Sequence, residues 1–96
     1  MTTRIELNGR LSRNPDLRVT PAGTQVLLLE VDCGDSPGRL ILKLVMTGAA
    51  LEELAHQLHK GVQIRAAGEL RVLPTRARSA GGLGVEVVAS MIQPAP

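Results

Sequence analysis

"RLILKLVMTGAALEELAHQLHKGVQIRAAGELRV", residues 39–72, changes its periodicity twice, and those two changes decide the architecture. Residues 39–47 are apolar on both faces apart from Arg39 and Lys43, the pattern of a strand that wants cover on each side. Between Gly48 and Gly61 the period becomes helical, with Leu51, Leu54 and Leu58 at i, i+3 and i+7. Glu52 and Glu53 fall in the first turn, where they suit the helix dipole, and Gly61 is placed as a stop. From Val62 the alternation returns, directing Val62, Ile64, Ala66, Leu70 and Val72 inward and Arg65, Glu69 and Arg71 outward. A helix therefore joins two strands.

Working outward from this unit, residues 4–12, "RIELNGRLS", put Ile5, Leu7 and Leu11 on one face and Arg4, Glu6, Asn8 and Arg10 on the other, with Gly9 expected at a bulge or bend. Residues 13–23, "RNPDLRVTPAG", read as a basic connector whose Pro21 and Gly23 suit a tight corner. Residues 24–33 make the second strand, with Leu27, Leu29 and Val31 on one face and Val26, Leu28 and Glu30 on the other, and "GDSPG" at 34–38 turns the chain into the third. After a Gly-rich loop, "PTRARSAGG" at 74–82, residues 83–92 form the last strand with Leu83, Val85, Val87 and Met91 in series. Five strands with one helix between the third and fourth is the element order of the OB-fold, a small Greek-key barrel. A sandwich would want more strands and an α/β sheet more helices.

Ninety-six residues are expected to form a single domain spanning 1–96. Phe, Tyr and Trp are absent, so Leu, Val, Ile and Met have to fill the core. Cys33 is the only cysteine, which excludes an intrachain disulfide and fits a reducing, cytoplasmic setting. No apolar run approaches the ~20 residues that span a bilayer, and no leader pattern opens the chain, so no membrane partner is expected.

The residue types that do bond chemistry are thinly spread. His56 and His59 are spaced i, i+3 on the helix but lack a third ligand, so no metal site is expected. Glu52 and Glu53 are adjacent and diverge, and Gly81, Gly82 and Gly84 lack the Lys-Ser/Thr ending of a phosphate loop. The expectation is a protein that is not an enzyme and carries no cofactor. The basic residues say more: nine of the eleven are Arg, whose planar fork suits phosphates and base faces. An OB-fold brings Arg13 and Arg18 of the first connector, Arg39 and Lys43 of the third strand, Arg71 of the fourth, and Arg76 and Arg78 of the last loop to one side. These seven residues are the expected nucleic-acid-binding set. Without aromatic platforms, affinity would lean on phosphates and fall steeply with salt.

Three stretches, "RIELNGRLSRNPDLRVTPAG" at 4–23, "RLILKLVMTGAALEELAHQLHKG" at 39–61 and "VQIRAAGEL" at 62–70, together resemble the bacterial single-stranded DNA-binding protein family. The string Asn-Pro-Asp-Leu-Arg-x-Thr-Pro-x-Gly, residues 14–23, is the most distinctive. Within the family the chain looks most like the primosomal replication protein N branch, because it ends in "IQPAP" with no long extension or acidic tail and carries "LKLVMTGAALEEL" at 42–54. The resemblance implies single-stranded DNA as partner, a role in replication restart beside other restart proteins, and a homodimer. It also implies that Arg18, Arg76 and Arg78 match basic residues at binding positions of the family. The chain departs where the family places a Trp near the start of the third strand, holding Arg39 or Ile41 there instead. The surplus apolar residues Val26, Leu28, Ile41 and Val45 would suit a subunit contact. The alternative is an OB-fold protein-interaction subunit that has lost DNA binding along with its aromatic residues.

Overall fold

The computed structural model describes residues 3–34, 40–73 and 84–95. Its elements are β1 (Thr3–Leu11), β2 (Asp16–Val19), β3 (Gln25–Asp32), β4 (Ile41–Gly48), α1 (Glu52–His56), β5 (Gln63–Leu73) and β6 (Gly84–Pro94). The sheet runs β1-β5-β6-β4-β3-β2, and a further pairing of β1 with β3 closes the first five of these strands into a ring. All neighbours are antiparallel except β4 and β6. This is the expected OB-type barrel.

The expected strand count needs one correction. Part of the basic connector is itself a strand, β2, laid along the outer half of β3 with Asp16 opposite Leu28 and Val19 opposite Gln25. The corner between them is the Thr-Pro-Ala-Gly turn: Gly23 adopts φ 90°, its N–H donates to the Thr20 carbonyl at 2.8 Å, and the Thr24 N–H donates to Thr20 Oγ1 at 3.1 Å. Six strands result, and the helix lies between the fourth and fifth rather than the third and fourth.

The helix is also shorter than its apolar period. The Ala55 N–H donates to the Leu51 carbonyl, an i−4 bond, but the Gln57 and Leu58 N–H groups donate to Leu54 and Ala55, which tightens the chain to i−3 bonds. Leu58 is buried all the same, carried inward by that turn, and Gly61 with φ 93° redirects the backbone into β5. Gln25 holds the other end, its Oε1 accepting from the Leu51 N–H at 2.6 Å.

Inward-facing Leu7, Leu11, Leu27, Leu44, Ile64 and Val87 form the centre of an entirely aliphatic core. Burying each Leu or Ile side chain contributes about 1.5–3 kcal/mol. Gly9 makes no bulge, since the β1–β5 register runs through it unbroken. It is instead the crossing point where β1 reaches β3: a Cβ there would stand 2.7 Å from the Asp32 carbonyl oxygen. The irregularity lies in β6, where Ala67 faces Met91 but Gly68 faces Ala89, so Ser90 is an extra residue. It shifts the alternation, giving the buried place to Ile92 rather than Met91. Val72, expected inward, is 60% exposed because at that level β5 has outrun β1 and is paired with β6 alone.

Candidate nucleic-acid interface

Residues directly opposite in a ladder share a face, so the outward side chains can be read across the sheet row by row. One row joins Arg18 of β2 to Val26 and Thr47, and the next joins Asp16 to Leu28, Val45 and Val88. A third is entirely charged: Glu30 of β3 faces Lys43 of β4, Lys43 faces Glu86 of β6, and Glu86 faces Arg71 of β5. Arg13, from the segment between β1 and β2, continues this row by reaching Glu30 at 3.8 Å. Positive and negative groups thus alternate from Arg13 to Arg71.

Over these rows lies an open groove of about 550 Å³ whose lining includes Arg13, Arg18 and Lys43 together with Asp16, Glu30 and Glu86. Each partner is fixed locally. Ser12 Oγ donates to Glu30 Oε1 at 2.8 Å and so orients the carboxylate toward the groove wall. Arg18 donates from Nε and Nη2 to Asp16 Oδ2 at 3.0 and 2.9 Å, and Arg71 pairs with Glu86. Lys43 stands between two carboxylates yet makes no ion pair among the described residues.

The relative heights of these groups matter. The Arg13 and Arg18 side chains are 71% and 70% exposed, whereas those of Glu30 and Glu86 are 28% and 18% exposed. Arg13 and Arg18 stand above Glu30 and Glu86, while Asp16, beside Arg18, is itself 51% exposed. Such an arrangement can hold phosphates through the Arg forks, whose planes also offer stacking surfaces to bases.

Of the residues singled out from sequence, Arg13, Arg18 and Lys43 line one groove, and Arg71 adjoins it through Glu86. Arg39, Arg76 and Arg78 lie outside the described residues. The carboxylates were the omission. Glu30 is legible as an outward residue of its strand, but its pairing with Lys43 and Arg13 depends on a register that one sequence does not print.

Other features of the surface offer less. A cavity of about 780 Å³ at the β1–β3 crossing holds Arg10, Lys60, Asp32 and Cys33. Burial, and then the neighbouring Asp32 carboxylate, push the Cys33 thiol above its ordinary range, which disfavours the reactive thiolate. His56 and His59 are exposed, and among the described residues no His, Cys, Asp and Glu cluster could hold a metal ion. No helix among the described residues is long and apolar enough to cross a membrane.

No protein-family model matches the chain, and no curated protein sequence matches it. Among solved structures it is similar to the single-stranded DNA-binding protein of Thermus aquaticus, both in the wild-type crystal structure and in that of a deletion variant. Each shares 28% identity and a TM-score of 0.77 over 97% of this chain and 40% of the other. The chain therefore spans about 40% of the length of the proteins it resembles.

Proposed function

We propose that this chain binds single-stranded DNA along the groove between β2 and β6. The observation that carries the reading is the placement of Arg13, Arg18 and Lys43, from three separate segments, in one groove on the outer face of the barrel. The likeness to the Thermus aquaticus protein supports the same ligand. Arg39, Arg76 and Arg78 complete the proposed contact set with Arg71. With no Phe, Tyr or Trp available, phosphate contacts supply most of the affinity, so binding weakens steeply as salt rises.

The assembly belongs to the same proposal. Residues 3–9 of β1 are paired with β5 on one edge, while β3 reaches the other edge only at Arg10 and Leu11. That open edge suits strand pairing between two copies as a homodimer. A contact through Val26, Leu28 and Val45 would cover the groove instead, since they lie in the rows beside its cations. In the cytoplasm such a dimer would serve replication restart, handing single strands to other restart proteins.

A second reading, a protein-interaction subunit, is favoured by the missing aromatic residues and by Leu40 and Ile41, which are 54% and 44% exposed. Fluorescence anisotropy with labelled oligo-dT separates the two. Binding at low salt that disappears at high salt is expected, and no binding at low salt would remove the first reading. Light scattering on the same samples is expected to give the mass of two chains.

A further inference from the structure

The charged row suggests more than a landing place for phosphates. We propose that Glu30 and Glu86 compete with the strand for the groove's cations, setting how tightly and how salt-sensitively the protein binds. This rests on the single-strand-binding reading. Arg71 is paired with Glu86 and Arg13 lies 3.8 Å from Glu30, while Lys43 is flanked by both carboxylates. A phosphate that takes one of these cations leaves behind a carboxylate of low exposure, 28% for Glu30 and 18% for Glu86, which must be compensated again.

Two consequences follow from the electrostatics. First, each phosphate contact formed at the row is offset by an ion pair broken, so affinity per cation is reduced. Second, the counterions released from the DNA are partly replaced by cations taken up at the vacated carboxylates, so the salt dependence is shallower than the number of basic residues implies. The protein would hold strands loosely and release them readily, which suits a carrier better than a permanent coat.

The test measures oligo-dT affinity between low and moderate salt for the wild-type chain, E30Q, E86Q and the double variant, each with a thermal melt. Each single substitution is expected to tighten binding about threefold to fivefold. The slope of log K against log salt should steepen by about 0.7 for each cation set free. Glu53→Gln changes the net charge equally, on the exposed face of α1 and outside the groove, and should reproduce neither effect. Should E86Q lower the melting temperature, E30Q carries the same expectation by itself.

Weaker or unchanged binding in both Gln variants, with the wild type binding, would overturn the inference and leave the single-strand reading standing. Weaker binding would mean that the carboxylates position the cations rather than compete for them, and unchanged binding that they do neither. If the wild type binds nothing at low salt, the single-strand reading falls and the inference falls with it, whatever the variants do.

Discussion

The two faces of the β3–β4 pair are built to opposite rules from alternate residues of the same strands. Inward, Leu27 and Val31 are 0% exposed and Leu44 is 1% exposed, with no polar atom among their side chains. Outward, Val26 and Leu28 share the surface with Glu30 and Lys43, whose neighbours across the sheet are charged in turn. Burial on the first face holds the barrel together, and that stability permits the second face to carry closely spaced charges. The surface that could act on a partner is therefore the one whose residues contribute least to folding.

The sharpest way to break this division is to remove the cations of the outer face together. R13A/R18A/K43A is expected to lower oligo-dT affinity roughly tenfold per cation, about a thousandfold in all, while the denaturation midpoint stays near that of the wild type. Anisotropy and urea melts on the same samples check both halves. Stability falling in step with binding would show that the faces are not separate.

Next in size is a contrast within one strand. Leu27→Ala should destabilise the fold by about 2–5 kcal/mol, because it opens a cavity at the centre of the core. Leu28→Ala, one residue on and half-buried, should cost less than about 1.5 kcal/mol in the same chemical denaturation assay. Smaller than the Leu27→Ala effect is that of Gly9→Ala, which tests whether the inward face is sealed at the β1–β3 crossing. The added methyl meets the β3 backbone, for an expected cost of about 1–3 kcal/mol. Gln25→Ala should have the least effect, about 1 kcal/mol, read as a small drop in thermal midpoint as the Leu51 N–H loses its acceptor.

The inward face was the legible one. Strict alternation over Leu27, Leu29 and Val31 needs no knowledge of the partner strands, because each position reports its own burial. The helix was legible as an apolar period but not in length, since the turn that carries Leu58 inward keeps the same spacing after the helical bonds have shortened. The extra residue at Ser90 escaped for a related reason: a bulge changes which face Met91 and Ile92 occupy without changing either residue's type. At the candidate site, cations could be assigned to a side of the barrel from element order. Their acidic companions could not, because Glu30 and Glu86 come into register with Lys43 only through two pairings between segments far apart in the chain.

The position of β6 has a consequence for how the molecule is made. It is the last of the described strands, yet it sits in the middle of the sheet, between β5 and the parallel β4. A nascent polypeptide that has not yet emerged through residue 94 holds both of those neighbours with unsatisfied edges and an uncovered aliphatic interior. Closure must wait until residue 94 has left the ribosome. A ribosome stalled before β6 would present a sticky half-barrel to the cell's chaperones.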